Sequence, residues 1–148
     1  MPTTIHLASD HAGFALKTTM VEHLVKQGRS VQDHGTDSAQ SCDYPVYAQT
    51  LCKALLESGG LGILICGSGL GMSMMANRIQ GIRAAVCTNE FLASASRRHT
   101  NANVLCLGAR VVGIGLALAI ADAFLRNVFE GGRHQGRIAM LDCNLGHL

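Results

Sequence analysis

Five short strand-type runs, each followed by a helical pattern, constrain this chain more than any other feature. Residues 4–9 (TIHLAS), 30–33 (SVQD), 61–66 (LGILIC), 84–87 (AAVC) and 104–108 (VLCLG) have the length and content of strands. Helical patterns follow them at 13–27, from Asp43-Tyr44-Pro45 to Gly59-Gly60, and at 72–78, 89–98 and 113–127. In the first, Leu16, Met20 and Leu24 share a face, and Gly28 stands where a helix stops. In the second, Tyr47, Leu51 and Leu55 form the stripe behind a starting proline. Such alternation gives an α/β fold, a parallel sheet with helices on both faces. The run 61–66 is apolar apart from Gly62, so both of its faces are expected to be covered.

The 148 residues suit one domain spanning 1–148, without repeat, low-complexity stretch or linker. Residues 129–148 read as a C-terminal tail, polar and basic and then mildly apolar, either frayed or packed on a neighbouring subunit. Only 15% of the residues are charged, a first hint that another subunit covers part of the surface.

Several function classes fall away. The net charge is +2, there is no Trp, and no basic stripe is interleaved with aromatics, which argues against nucleic acid. The longest apolar run, 111–121, is well short of the ~20 residues that a bilayer requires, so no membrane span is expected. The six cysteines (42, 52, 66, 87, 106 and 143) are scattered, with no CxxC. Reduced thiols in a cytoplasmic protein are expected, and Cys42, Cys52, Cys87, Cys106 and Cys143 are read as small buried hydrophobes. No HExxH or zinc-type Cys/His pairing occurs, so no metal is expected. The arginines cluster at Arg97–Arg98 and at Arg133 and Arg137, a pattern suited to a compact anion such as phosphate.

In open parallel sheets the ligand lies beyond the carboxyl ends of the strands. Those ends carry Ser9-Asp10-His11, Asp33-His34-Gly35, Cys66-Gly67-Ser68, Cys87-Thr88-Asn89 and Gly108-Ala109-Arg110. The third is the most informative, because ILICGSGLGMS (63–73) places a thiol directly before Gly67, Gly69 and Gly71. A dinucleotide fingerprint fails there, since position 72 is Met, and a Walker loop fails for want of Lys-Ser/Thr. The amides of residues 67–71 run into a helix start and would hold a fixed or developing negative charge. In that field the Cys66 thiolate is favoured, as a base or a nucleophile. With the Ser68 hydroxyl, these are the parts an enolisation needs, although a plain strand-to-helix turn and a buried Cys66 remain the bland reading.

Seven blocks in order, S-D-H-A-G-F-x-L-K (9–17), G-T…D-Y-P (35–45), C-G-S-G-x-G-M-S (66–73), G-I-R-A (81–84), R-x-H-x-x-A-N-V-L (97–105), G-x-R-V-V-G (108–113) and E-G-G-R-H-x-x-R (130–137), closely resemble the ribose-5-phosphate isomerase B family. That family includes allose-6-phosphate and galactose-6-phosphate isomerases. The resemblance implies a three-layer α/β/α Rossmann-like sandwich with a five-stranded parallel sheet. It implies an aldose–ketose isomerase working through a cis-enediolate, with no cofactor and no metal. Cys66 would be the base between C2 and C1, with Ser68 on the reacting oxygens and the amides of Gly67, Gly69, Leu70 and Gly71 on the enediolate.

By the same resemblance, Asp10 and His99 would handle the sugar ring, His99 opening it. A helix N-cap is the plain alternative for Asp10. His11, Arg110, Arg133 and Arg137 would bind phosphate, and Tyr44 would line the pocket. The implied assembly is a homodimer or tetramer with active sites shared between subunits. Two departures stand out: Ser68 where many relatives have Thr, and Thr100 where Asn usually follows the histidine to contact the sugar. Thr100 leaves the choice between a pentose and a hexose phosphate open. The alternatives to a ribose 5-phosphate isomerase are a six-carbon phosphate isomerase and a non-catalytic phosphosugar-binding subunit.

Overall fold

The computed structural model describes residues 2–143. Five strands, β1 (Thr4–Ser9), β2 (Ser30–Asp33), β3 (Leu61–Cys66), β4 (Ala84–Val86) and β5 (Val104–Gly108), form one sheet in the order β2-β1-β3-β5-β4. Every pairing is parallel. The helices are α1 (Phe14–Lys26), α2 (Tyr44–Ser58), α3 (Leu70–Ala76), α4 (Glu90–Thr100), α5 (Ile114–Arg126) and α6 (Arg133–Asp142). The α/β/α sandwich read from the chain is therefore the fold observed.

Alternation along the strands sorts the side chains between two cores. Ile63 and Ile65 of β3 join Leu16, Met20 and Leu24 of α1 and Ile120 and Phe124 of α5. Leu64 and Cys66 join Leu51 and Leu55 of α2 and Met72 and Ala76 of α3. Residues Gly62 to Cys66 are all buried, as expected of a central strand covered on both faces. The chain runs outward from β1 to β2, then returns across β1 to β3. The crevice between the ends of β1 and β3 is thus the switch point where such sheets bind ligands.

The first turn of α1 lies very close to that crevice. A Cβ on Gly13 would come within 2.5 Å of the Ile65 carbonyl oxygen, and backbone has nowhere to retreat. Gly13→Ala is therefore expected to lower stability by about 1–3 kcal/mol in urea denaturation, with β3 and α1 forced apart. Lys17, one turn further on, is 2% exposed; its Nζ donates to Asp33 Oδ1 at 2.5 Å and to the Thr36 carbonyl at 2.7 Å. That pairing satisfies a buried ammonium and ties the start of the 34–43 loop to α1.

Some local expectations need correction. Tyr47 is only partly buried, and Ala48 and Cys52 complete the inner face of α2. α3 starts two residues before the expected Met72 and ends at Ala76 rather than Arg78. α4 runs on to Thr100, two residues past Arg98, with Asn89 as its N-cap through a 2.9 Å bond from the Leu92 amide. All six cysteines are free, but Cys143 is exposed and Cys42 half-buried, so neither is a core hydrophobe. Burial pushes the thiols of Cys52 and Cys87 up to about 11.

The tail carries a helix that the sequence reading did not place. Residues 133–142 form α6, which buries His134 and Ile138. Arg83 Nη1 grips both Asp142 oxygens at 2.8 Å. This part of the tail docks on its own chain, while residues 144–148 lie outside the described residues. Among the described residues, no helix is long and apolar enough to cross a membrane.

Candidate active site

β3 delivers Cys66 to the crevice, and the glycine loop turns back over it. Gly69 takes a left-handed backbone (φ 79°), open to glycine at little cost. In that conformation its N–H points back and donates to Cys66 Sγ at 3.1 Å. The Leu70 N–H donates to Ser68 Oγ at 3.2 Å, which leaves the hydroxyl hydrogen free for a ligand oxygen. Two of the five amides expected to face a ligand, those of Gly69 and Leu70, are therefore engaged within the loop. The Leu70 side chain is exposed.

The absence of two Cβ atoms brings neighbours onto the loop. At Gly71 a Cβ would sit 2.4 Å from the Tyr44 ring, and at Gly67 it would sit 3.2 Å from the Arg110 guanidinium. A cavity of about 480 Å³ results, lined by Asp10, Tyr44, Cys66, Ser68 and Arg110 together with Gly67, Gly71 and Val111. Asp10 is not the N-cap of α1, which is Gly13 without a side-chain cap bond, but it holds the turn that leads into that helix. One of its oxygens accepts from the Gly13 amide at 3.0 Å, and the residue also lines the cavity. His11 stands beside this group rather than in it. Its Nδ1 accepts from the Cys42 amide at 3.2 Å, so the proton belongs on Nε2, ready to donate.

The remaining expected residues gather elsewhere. His99, on the last turn of α4, stacks on His134 of α6 with ring centroids 4.6 Å apart. Arg133 and Arg137 stand exposed on α6, one helical turn apart and so on one face. The Thr100 hydroxyl is turned back to the Ser96 carbonyl at 2.6 Å. None of these residues lines the Cys66 cavity. The expected residues thus fall into two separate groups on one chain, one at the ends of β1 and β3 and a cationic one on α4 and α6.

A model of the ribose/galactose isomerase family matches residues 5–141. The chain is 50% identical over 137 residues to ribose-5-phosphate isomerase B of Escherichia coli, covering 90% of this chain and 91% of that one. The crystal structure of a Thermotoga maritima ribose 5-phosphate isomerase superposes with a TM-score of 0.92 at 48% identity, covering 95% of this chain and 97% of that one. A Mycoplasma genitalium ribose-5-phosphate isomerase B, solved with ribulose 5-phosphate bound, gives 0.92 at 40% identity, covering 98% and 97%.

The chain belongs to the ribose/galactose isomerase family.

As a family member it is an aldose–ketose isomerase. Sequence reasoning passed over two residues of the second group, Glu130 and His134, and read Arg98 as part of an anion-suited cluster, whereas its guanidinium is bound to Glu130. Glu130 and His134 stood in the quoted E-G-G-R-H block, four residues apart, which was the available signal. Glu130 Oε2 lies 3.7 Å from His134 Nε2 and 4.0 Å from His99 Nε2. These three side chains offer ligand-type atoms within 4.8 Å of one another. The rings stack nearly face to face, at 18°, so their in-plane lone pairs run alongside instead of converging on one point. Burial first, then His99 and the charges of Arg133 and Arg137, depress the proton affinity of His134, against an opposing pull from Glu130. The cluster suits an imidazole pair with a counter-ion better than a cation site.

Proposed function

We propose that the protein interconverts ribose 5-phosphate and ribulose 5-phosphate, with Cys66 as the base that moves the proton between C2 and C1. In the open aldose, the thiolate takes the C2 proton and the electron pair moves into the C1–C2 bond, giving the cis-enediolate. The carbonyl oxygen at C1 gains a proton and the hydroxyl at C2 loses one. Returning the carried proton from sulfur to C1 completes the ketose, so the step is redox-balanced within the sugar. Ser68 hydrogen-bonds the reacting oxygens, and the glycine loop stabilises their charge. The observation that carries this reading is the Gly69 N–H on Cys66 Sγ, in one cavity with Asp10, Ser68 and Arg110.

His99 opens the sugar ring with Asp10, Tyr44 lines the pocket, and Arg110, Arg133, Arg137 and His11 hold the phosphate. The E. coli and M. genitalium relatives support the pentose phosphate as substrate. Because His99 and the α6 arginines stand apart from the Cys66 cavity, we assign each complete site to two subunits of a homodimer. Large apolar side chains left open, among them Phe91, Val128, Met140 and Leu141, supply area for such an interface. The free thiols suit a cytoplasmic, reducing setting.

An NMR time course with ribose 5-phosphate in heavy water tests the activity. Formation of ribulose 5-phosphate, with solvent deuterium entering at C1, is expected. Silence here with conversion of six-carbon 6-phosphates would reassign the sugar, and silence on all of them would leave a phosphosugar-binding subunit. The arginine assignment has its own test. Arg137→Ala should raise KM for phosphorylated sugars by about tenfold through loss of a charge-assisted contact, measured by steady-state kinetics. An unchanged KM would return Arg137 to the solvated surface.

A further inference from the structure

Glu130 is held unusually well for a half-exposed carboxylate. Arg98 donates to its Oε1 from Nε at 2.6 Å and from Nη2 at 2.5 Å, and the Glu130 N–H donates to the Arg98 carbonyl at 3.0 Å. The side chain and backbone of one residue thus clamp the other. Hydrogen bonding from Arg98 holds the carboxyl below its usual range, so it is ionised at neutral pH. The second oxygen, Oε2, is left facing the two imidazoles.

The surroundings of those rings make that oxygen consequential. Arg98 adjoins His99 on α4, and Arg97 is turned inward to the Ala102 carbonyl and over the Phe124 ring. From α6, Arg133 and Arg137 act on His134, and His99 acts on it across the stack. Arg83 and Asp142 neutralise one another further along α6. Among the described residues, Glu130 is the acid that faces the pair. Without it, two stacked imidazoles would stand in a wholly cationic field.

We propose that Glu130, clamped by Arg98, is the positioning residue of the His99–His134 pair, orienting and charge-balancing the imidazole that opens the sugar ring. The proposal rests on the ring-opening reading of His99. To take the hydroxyl proton of a closed aldose, His99 must start neutral and become imidazolium. A carboxylate oxygen 4.0 Å from His99 Nε2 is a counter-ion for that cation. Removing the charge leaves the imidazolium without its counter-ion, so the ring becomes a weaker base.

The test compares two substrates in the full-length protein. Ribose 5-phosphate closes to a furanose, whereas an aldotetrose 4-phosphate has its C4 oxygen blocked by phosphate and stays open. Glu130→Gln leaves an oxygen for Arg98 and removes the charge. Its kcat/KM for ribose 5-phosphate is expected to fall about tenfold, with the acid limb of the pH profile moved to lower pH. Its activity on the tetrose phosphate is expected to stay within about twofold, which also reports a folded variant. Equal losses on both substrates, or an unmoved acid limb, would overturn the proposal. His99→Asn serves as the control. If it spares ribose 5-phosphate turnover, the ring-opening reading itself fails. If it slows the pentose selectively while Glu130→Gln does not, only the role of Glu130 fails.

Discussion

Cys66→Ala is expected to lower kcat by about 10³-fold while leaving substrate binding nearly intact, because it removes the proton carrier and nothing that grips the phosphate. The side chain is 5% exposed and sits at the end of the central strand, so the smaller alanine fits without rearrangement. The Gly69 N–H loses its sulfur partner, but it remains free to meet a ligand oxygen. Rapid-quench or steady-state turnover together with calorimetric titration of ribulose 5-phosphate separates the two effects. Activity within about tenfold of wild type would remove Cys66 from the role of base. Loss of binding together with turnover would mean that the thiol shapes the pocket instead of working the proton.

Mixing two dead proteins should restore activity. Cys66→Ala and His99→Asn each disable a different half-site, and each homodimer carries the defect in both of its sites. In a mixed dimer with shared sites, one site combines both defects and the other combines Cys66 of one chain with His99 of the other. Co-refolding equal amounts would then yield about a quarter of the wild-type sites. Recovery to that level from parents that are nearly silent is a large signal in a simple assay. No recovery, with mixed dimers verified by mass spectrometry, would place both residues in one chain's own site and refute the shared arrangement.

Legibility in the chain followed physical locality. β3 was readable because burial on both faces demands an apolar run, and residues 61–66 are one. Asp10, Cys66, Ser68 and Arg110 were readable because parallel topology sends every strand end to the same edge. The lateral order was not, since β4 has three residues and nothing in them says that it pairs outside β5. α6 was hidden by Gly136 and by an inner face of only His134 and Ile138, although the four-residue spacing of Arg133 and Arg137 pointed to a helix. The inward turn of the Gly69 amide depends on a φ of 79°, which residue type allows but does not announce. The Arg98–Glu130 clamp joins residues 32 apart and forms only once α4 and the segment before α6 are packed together.

The separation of the two groups along the chain bears on how such an enzyme diversifies. Arg110 and Val111 apart, the residues that line the Cys66 cavity lie within 10–71, whereas His99, Arg133 and Arg137 lie within 99–137. They rest on different secondary-structure elements, so substitutions in α4 and α6 leave the loop around Cys66 undisturbed. On the function proposed above, a lineage built this way keeps its reaction at β1 and β3 while α4 and α6 are open to change.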